Sequence, residues 1–389
     1  MASDSDWRAS LTSSNRYDNI EAIKDILVQT GVLVANAQKD AFAMESEAYK
    51  TSSSRVQYDA ACRIVPPPNN DSLPLEPAEE IQDKNGASDP PAITIGSYRN
   101  CQYIADGITA EVYRSGTTAL KVIVQTHNIE PHDPFREAKI LKLLRKPCIP
   151  LLDTFRDQEQ RFVLAFPYMP LSLEGLVKRG PLPRSRLIQH FKDLFTALQH
   201  LHSQGIIHRD VKPSALLLES PDGPAFLSDF GAAWHPELSI HIEPRDQKVL
   251  DIGTGPYRSP EALFGDKSYT TAVDMWAAGA MLAECCRTPP KPLFDSPPTH
   301  EDGNQLGLIL SIFKTLGSPT RELWPEAVGL KTPPFDMYQT FEGHEWEDLL
   351  PDVEDKLRDI ITSLVKYSSS RRATASQVLQ HACFSNASV

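Results

Sequence analysis

Apolar residues near the amino terminus recur at the three- and four-residue spacing that is typical of amphipathic helices. Gly31 and the serines Ser52–Ser54 separate the resulting stripes, and the serine hydroxyl groups can cap a following helix. The pattern predicts a small bundle of three helices over residues 6–64. The three apolar stripes are Tyr17, Ile20, Ile23 and Leu27, then Ala37, Ala41, Met44 and Ala48, then Val56, Ala60 and Ile64.

Prolines and acidic residues dominate the next segment, PPPNNDSLPLEPAEEIQDKNGASDPP, which begins at Pro66 and ends at Pro91. Proline lacks the amide hydrogen that helices and sheets require, and Lys84 is the one lysine among many carboxylates. We therefore predict a solvated acidic linker over residues 65–94. A docking role for a proline motif is the alternative, and the spacer interpretation is favoured.

Strand-type runs rich in β-branched and aromatic residues come next, and helical patterns fill most of the chain after them. The runs lie at Tyr98–Ile104, Glu111–Arg114, Ala119–Val124 and Phe162–Phe166. Strands followed by helices predict an α+β domain, which we place at residues 95–385.

The overall composition excludes several classes of protein. Of the 389 residues, 41% are hydrophobic, which is enough to bury a core, and the formal net charge of −12 argues against direct binding to nucleic acid or to an anionic membrane. The six cysteines form no CxxC pair, no apolar run is long enough to cross a bilayer, and the start MASDSDW lacks a signal-peptide pattern. We expect a soluble intracellular protein, nuclear or cytoplasmic or both.

Four short motifs carry candidate chemistry for phosphoryl transfer, a reaction that needs charge compensation, a metal ion and a placed hydroxyl acceptor. The run HRDVKPSALLL supplies Asp210, which can accept the acceptor's proton or orient its hydroxyl, and Lys212, which can neutralise the migrating phosphoryl group. The run SDFG supplies Asp229 as a magnesium ligand. Lys121 in TALKVIV can reach phosphate oxygens, and Glu137 in FREAKILKLL can pair with that lysine. The order and spacing of the motifs make coincidence a poor explanation.

These motifs resemble, in the same order, those of the eukaryotic protein kinases, and the surrounding segments resemble the cyclin-dependent kinase branch. GPYRSPEAL, which contains Glu261, is similar to the Tyr-Arg-Ala-Pro-Glu of that branch. DMWAAGAMLAE resembles the segment whose aspartate, here Asp274, is buried beneath the catalytic loop. NQLGLILSIFKTLGSPTRELWPE resembles the characteristic insert of the branch. SSSRRATASQVLQHACF resembles its closing helix, in which Arg372 would pair with Glu261.

The resemblance implies a two-lobed kinase fold, with a β-rich small lobe at residues 95–166, a hinge at 167–170 and a helical large lobe at 171–385, preceded by the three-helix bundle. It also implies ATP and Mg²⁺ as cofactors and serine or threonine residues of a protein substrate as acceptors. Phe166 would be the gatekeeper, Pro167–Met169 the hinge and Leu217 the floor under adenine, while Thr254 would hydrogen-bond to the two catalytic residues. The implied catalytic residues are Asp210, Lys212 and Thr254, the metal ligand is Asp229, and the nucleotide-binding residues are Ile104, Ala105, Gly107, Val112, Ala119, Lys121, Glu137, Phe166, Met169 and Leu217.

Two departures from the family pattern bear on catalysis. The three-glycine turn of the family stands here as Ala105, Gly107 and Ala110, and fewer glycines leave the backbone less freedom to approach phosphate. Ala215 replaces the asparagine that holds a second magnesium ion in the family. One interpretation is a kinase that works with Asp229 and one tightly held metal ion, and the other is a catalytically weak or inactive pseudokinase scaffold. We favour the enzyme because the lysine, the glutamate and the aspartates described above are all present.

The activation segment has an unusual composition. Its central run, IHIEPRDQKVLDIG, contains no serine, threonine or tyrosine, and the threonine that is phosphorylated in cyclin-dependent kinases corresponds to Val249. Arg209 normally pairs with that phosphate. Either Glu243 or Asp251 supplies a permanent carboxylate in its place, or the acidic residues face solvent, and the sequence does not separate these alternatives.

The helix that bears Glu137 reads PHDPFREAKILKLL and lacks the cyclin-contact sequence of the cell-cycle kinases. We therefore do not expect dependence on a cyclin. This absence, the glycine-poor loop and the missing phosphorylation site together resemble the fungal monomeric kinases that phosphorylate cyclin-dependent kinases. The resemblance implies a cyclin-dependent kinase as the protein substrate.

The amino-terminal segment resembles a different family. The run DWRASL and the later run ESEAYKTSSSRVQYDAA are similar to the KIX-type domain of Mediator tail subunits. That resemblance implies an apolar groove for an amphipathic activation-domain helix, so a third interpretation of the protein is a docking module for transcription regulators. A generic helical appendage is the alternative.

Overall fold

The computed structural model describes residues 51, 52, 54–62, 93–107, 109–124, 130–296, 305–336 and 339–385, together with individual residues between 19 and 49. The chain divides into two compact units, one within residues 1–87 and the other within residues 88–297 and 305–389. Each unit has an apolar cluster of its own. The second unit contains every residue that the sequence marks as catalytic or nucleotide-binding.

Helix α1 (Arg55–Cys62) is continuous within the described residues of the first unit. Ser54 accepts a hydrogen bond from the backbone N–H of Gln57 (3.3 Å), so the serine run does cap this helix, as the sequence predicts. The Tyr58 hydroxyl donates to the buried carboxylate of Glu45 (2.7 Å). The bounds of the two earlier helices lie outside the described residues, so the three-helix bundle stays a prediction. The first two predicted stripes supply four residues of the apolar cluster of this unit, Ile20, Ile23, Ala41 and Ala48. Helix α1 contributes Tyr58 and Cys62, whereas Ala60 of the third predicted stripe is exposed, so the buried face of this helix was predicted wrongly.

Six antiparallel strands form the small lobe of the second unit, in the spatial order β1-β2-β3-β4-β6-β5. All four predicted strand runs are confirmed, each within two residues at either end. β1 and β5 were not predicted, because the three residues of β1 carry little pattern and the four residues of β5 begin and end with a charged side chain. The first strand also begins before residue 95, where the domain was expected to start. The strands are β1 (Ile93–Ile95), β2 (Tyr98–Asp106), β3 (Ala110–Ser115), β4 (Thr118–Ile123), β5 (Asp153–Arg156) and β6 (Phe162–Pro167).

Helix α2 (Pro134–Leu141) is the helix of the small lobe. The Asp133 carboxylate accepts hydrogen bonds from the backbone N–H groups of Phe135 and Arg136, both at 3.0 Å, and Pro134 occupies the first helical position. Both features favour a helix start, because they satisfy or remove amide groups that lack a partner within the helix. Ile140 and Leu141 are buried, and Glu137 lies on the buried side with them.

Helices build the large lobe. Helix α6 (Ala272–Cys286) is buried on nearly every side, as expected for a helix that is apolar all round. Gly279 marks its close approach to helix α9 (Asp355–Leu364), since a Cβ atom at this glycine would lie 2.7 Å from Leu364 Cβ. Within the described ranges, no helix combines the length and apolar character needed to cross a bilayer. The helices are α3 (Leu173–Val177), α4 (Arg184–His202), α5 (Pro260–Leu263), α6 (Ala272–Cys286), α7 (Leu306–Leu316), α8 (Trp346–Leu349), α9 (Asp355–Leu364), α10 (Ala375–Leu379) and α11 (Ala382–Ser385).

A second, three-stranded sheet joins the long helix α4 to the segments that carry the motifs. Its strands β7 (Leu171–Ser172), β8 (Leu216–Leu218) and β9 (Ala225–Leu227) pair in sequence order. The HRDVKPSA segment lies between α4 and β8, and the SDFG segment directly follows β9. This small sheet therefore fixes the two aspartate-bearing loops on the same side of the lobe.

Candidate active site

Lys121 and Glu137 form the ion pair that the sequence predicts. Lys121 lies on β4, opposite Val112 of β3 and Leu164 of β6, and its Nζ is 2.8 and 2.9 Å from the two carboxylate oxygens of Glu137. Burial raises the pKa of Glu137. Burial disfavours the ammonium of Lys121, but the two neighbouring carboxylates, Glu137 and Asp229, outweigh it and raise the pKa of this lysine. The lysine is therefore charged and held in one position.

Asp229 connects this pair to the cleft. Its Oδ1 is 3.3 Å from Lys121 Nζ, and the positive charge of the lysine lowers the pKa of the aspartate to about 2. The backbone of Asp229 has a φ of 62°, a conformation that costs a non-glycine residue roughly 1–3 kcal/mol and is typical of functional loops. The next residue, Phe230, is fully buried and packs edge-to-face on His208 at 4.9 Å between ring centroids. The carboxylate is ionised at neutral pH and 45% exposed, as a magnesium ligand requires.

Asp210, Lys212 and Thr254 form a connected set. The Thr254 hydroxyl donates to Asp210 Oδ1 (2.6 Å), and Lys212 Nζ donates to Asp210 Oδ2 (2.5 Å) and to the threonine oxygen (3.1 Å). The hydrogen bonds that the resemblance implies for Thr254 are thus present. One carboxylate is fixed beside one ammonium, which suits a group that orients an acceptor hydroxyl while a phosphoryl group arrives.

Asp274, at the start of α6, anchors the backbone of the catalytic loop. It is buried and accepts hydrogen bonds from the backbone N–H groups of His208 (2.9 Å) and Arg209 (2.8 Å) and from the His202 ring (2.9 Å). Burial raises the pKa of Asp274, but these hydrogen bonds and the nearby histidines outweigh it, so the pKa lies below its ordinary value. The same contacts hold Arg209 at a φ of 72°. The predicted burial of this aspartate is confirmed.

The proposed nucleotide residues lie on neighbouring strands and on the hinge. Ala105, Val112 and Lys121 face one another across β2, β3 and β4, and Ala119 is opposite Phe166. The backbone N–H of Tyr168 donates to Thr117 O (2.8 Å), which ties the hinge to the β3–β4 turn. The remaining residues of the set, Ile104, Gly107, Met169 and Leu217, occupy β2 and its turn, the hinge and β8. Contact with the nucleotide stays a prediction for every residue of the set.

The two departures from the family pattern have different structural outcomes. Gly107 N–H donates to Ala110 O (2.8 Å) and closes the β2–β3 hairpin, and a Cβ atom at Gly107 would come no closer than 3.7 Å to that oxygen. Ala215 is 1% exposed, and its carbonyl accepts from both the backbone N–H and the hydroxyl of Ser228, each at 2.8 Å. The residues therefore fit one Mg²⁺ bound through Asp229 together with phosphate and water oxygens. Position 215 offers no side-chain oxygen for a second.

The contacts of the activation segment distinguish Glu243 from Asp251 as the carboxylate that takes the place of a phosphate beside Arg209. Glu243 contacts Arg209, whereas Asp251 is 76% exposed and contacts Arg258. Arg136, which sequence reasoning missed, also lies beside Glu243, with Nη1 at 3.6 Å from Oε1. Its position directly before Glu137 in the helix was the available signal.

The predicted pair between Glu261 and Arg372 is confirmed. Nη1 and Nη2 of the arginine donate to the two carboxylate oxygens at 2.5 and 2.7 Å, and both side chains are buried. The pair joins the end of the activation segment to the segment before α10. Arg372 Nη1 also donates to Ala272 O at the start of α6 (2.9 Å), so the pair is tied to that helix as well.

Comparison with known proteins identifies the family to which this domain belongs. A protein kinase domain model matches residues 100–384. Serine/threonine-protein kinase csk1 of Schizosaccharomyces pombe is 34% identical over 297 residues, which cover 72% of this chain and 91% of that protein. Cyclin-dependent kinase 7 of Xenopus laevis is 32% identical over 303 residues, which cover 74% of this chain and 81% of that protein. Cyclin-dependent kinase F-3 of Oryza sativa subsp. japonica is 30% identical over 297 residues, which cover 74% of this chain and 65% of that protein. The chain therefore belongs to the protein kinase family, as a serine/threonine kinase of the cyclin-dependent-kinase-like type that uses ATP and Mg²⁺.

Proposed function

We propose that this kinase phosphorylates the activation loop of a cyclin-dependent kinase and that it does so without a cyclin. The observation that carries the proposal is the Lys121–Glu137 ion pair, 2.8 Å between Nζ and Oε1, which forms within a single chain. Phe230 of the SDFG segment is fully buried in the same structure, and Asp229 of that segment lies beside Lys121. A kinase whose helix α2 takes up this position unaided needs no second chain to bring Glu137 to the lysine.

The choice of substrate rests on three features that resemble the fungal monomeric kinases acting on cyclin-dependent kinases. These are the glycine-poor β2–β3 hairpin, the absence of a cyclin-contact sequence around α2, and the absence of an acceptor residue between Ile240 and Gly253. The Asp210–Lys212–Thr254 set suits any serine or threonine hydroxyl, so it does not by itself distinguish one protein substrate from another. The similarity to csk1 along 91% of that protein is consistent with one kinase domain acting alone.

The test uses the purified full chain with Mg²⁺ and γ-labelled ATP, and no cyclin. The substrate is a catalytically inactive cyclin-dependent kinase, so that label cannot come from its own activity. Matched controls are the same substrate with its activation-loop threonine replaced by alanine, a generic basic protein substrate, and the Asp210→Asn enzyme. We expect label on the first substrate and none with the alanine substrate or the Asp210→Asn enzyme.

Two results would contradict the proposal. If the generic protein is labelled and the cyclin-dependent kinase is not, the enzyme has another target. If labelling of the cyclin-dependent kinase needs added cyclin on the enzyme side, independence from a cyclin is wrong.

We further propose that the amino-terminal unit binds an amphipathic helix of a transcription regulator. Support comes from the cluster in which apolar residues of the first two predicted stripes meet Tyr58 and Cys62 of α1, with Tyr58 hydrogen-bonded to Glu45 inside it. Fluorescence anisotropy of a labelled acidic amphipathic peptide, titrated with the full chain, tests this proposal. A control peptide with a central proline should not bind, and equal binding of both peptides would refute a helix-specific groove.

A further inference from the structure

We propose that Glu243 is a positioning residue that joins helix α2, the catalytic loop and the activation segment, so that the kinase is competent without phosphorylation of that segment. The inference requires kinase activity but not the proposed substrate. A generic protein substrate therefore tests it independently of the cyclin-dependent kinase experiment.

The first contact of Glu243 is with the catalytic loop. Arg209 donates to both carboxylate oxygens, Nη1 to Oε2 at 2.5 Å and Nη2 to Oε1 at 3.0 Å. The exposed fractions of the two side chains are 0% for Arg209 and 4% for Glu243. Two parallel, charge-assisted hydrogen bonds in a buried setting are a strong and directional interaction. Because Arg209 directly precedes Asp210, this contact fixes the residue beside the proposed proton acceptor.

The second contact is with helix α2. Arg136 Nη1 is 3.6 Å from Glu243 Oε1, the arginine is only 5% exposed, and its Nη2 donates to Pro131 O. Arg136 directly precedes Glu137, whose carboxylate holds Lys121. The same carboxylate therefore neutralises an arginine next to the proton acceptor and an arginine next to the lysine's partner. Rotation of α2 away from the cleft would leave Arg136 without this countercharge.

The third contact lies within the activation segment itself. The backbone N–H of Val249 donates to Glu243 Oε2 at 3.1 Å, and Trp234 Nε1 donates to the Glu243 carbonyl at 2.9 Å. Val249 occupies the position at which the related kinases have their phosphorylated threonine. The Glu243 carboxylate thus lies against that position and on Arg209, which normally binds the phosphate.

A third cation, Lys248, interacts with this carboxylate in addition to Arg209 and Arg136. Lys248 is buried nearby, with Nζ 5.0 Å from the Trp234 ring centroid and 5.1 Å from that of Tyr269. Burial and the charge of Arg209 lower the pKa of Lys248. Burial raises the pKa of Glu243, but the hydrogen bonds and charge of Arg209 outweigh it, so the pKa lies below its ordinary value. A neutral residue at 243 would leave two buried guanidinium groups without a carboxylate.

The experiment compares Glu243→Gln with a matched control, Asp251→Asn, in the full chain. Both changes remove one carboxylate from the same segment, but Asp251 is 76% exposed and contacts Arg258 alone among charged residues in the described part of the chain. We expect Glu243→Gln to lower kcat by about 100-fold, the loss that follows from misplacing a catalytic group by about 1 Å. Asp251→Asn should leave kcat unchanged, and Glu243→Asp should recover part of the loss. Wild-type protein should keep its full activity after phosphatase treatment.

A second variant addresses the link to α2 and preserves the Glu243–Arg209 pair. Arg136→Met should lower kcat and increase hydrogen–deuterium exchange in α2, with no change in exchange in α9. This readout distinguishes positioning from loss of folding, because a folding defect would raise exchange in both helices. The proposal is overturned if Glu243→Gln keeps wild-type kcat, if phosphatase abolishes wild-type activity, or if Arg136→Met leaves both kcat and exchange in α2 unchanged.

Discussion

Replacement of Arg372 by alanine should destabilise the kinase domain far more than the loss of an equivalent arginine at the surface. All five N–H groups of Arg372 are used: Nε donates to Lys366 O, Nη1 to Glu261 Oε1 and Ala272 O, and Nη2 to Glu261 Oε2 and Tyr367 O, at 2.5 to 3.2 Å. The guanidinium also lies 5.0 Å from the Trp276 ring centroid. The exposed fractions are 0% for Arg372 and 3% for Glu261.

The expected magnitude follows from what Arg372→Ala leaves behind. The Glu261 carboxylate stays buried without its countercharge, and removing one partner of such a pair costs about 3–5 kcal/mol. Three carbonyl groups lose a donor as well, which favours the upper half of that range. Arg184 provides the matched control, since it also donates two hydrogen bonds to one carboxylate, from Nε and Nη2 to Glu354 at 2.5 and 3.1 Å, but the two side chains are 57% and 43% exposed. Arg184→Ala should cost about 0.2–1 kcal/mol.

Urea unfolding followed by tryptophan fluorescence measures both losses. The double replacement Arg372→Met with Glu261→Leu gives a further check, because removing both charges avoids the unpaired carboxylate, and we expect it to be more stable than Arg372→Ala alone. Equal losses for Arg372→Ala and Arg184→Ala would refute the reasoning, since the Arg372 pair is buried and its arginine also donates to three backbone carbonyls, whereas the Arg184 pair is exposed. So would a loss below about 1 kcal/mol for Arg372→Ala.

Three further outcomes concern the active site. Asp210→Asn should lower kcat by at least about 100-fold with an unchanged urea midpoint. Thr254→Ala should lower kcat less, because the threonine only positions the Asp210 carboxylate. Equal losses of kcat in the two variants would contradict this order. Ala215→Asn adds a side-chain oxygen at the position beside the metal site, so half-maximal activity should need less Mg²⁺ in a titration at fixed ATP; an unchanged midpoint would show that the second site is not restored. The pKa of Asp229 falls from 3.8 to about 2 in the folded protein, so its contribution to stability is present above pH 3.8 and is lost as the pH falls towards 2. Asp229→Asn should therefore weaken the pH dependence of thermal stability in that window, and an identical dependence in wild type and variant would mean that Lys121 does not stabilise the carboxylate.

Local patterns explain which parts of the fold and site were predictable. The strands β2, β3, β4 and β6 were identified because their sequences are rich in β-branched and aromatic residues, and the motif residues lie close together in the chain or at fixed positions on these elements. The short strands Ile93–Ile95 and Asp153–Arg156 were missed, although each pairs with a strand nearby in the sequence. Three residues carry little pattern, and the second strand begins and ends with charged residues, which are not typical of strands.

The choice between Glu243 and Asp251 shows what local sequence cannot decide. Both are acidic, both lie in one loop without regular structure, and neither has a patterned neighbourhood. Arg209 and Arg136 determine which carboxylate is buried, because both contact Glu243. The two arginines are 73 residues apart in the sequence and come together only when α2 packs near the catalytic loop. Two buried arginines are stable only beside a buried carboxylate. Glu243 provides that carboxylate, and its contacts with the two arginines fix the conformation of the activation segment. The conformation of the activation segment thus depends on charges that lie in other parts of the chain. For this reason the local sequence around Glu243 and Asp251 does not distinguish the two residues.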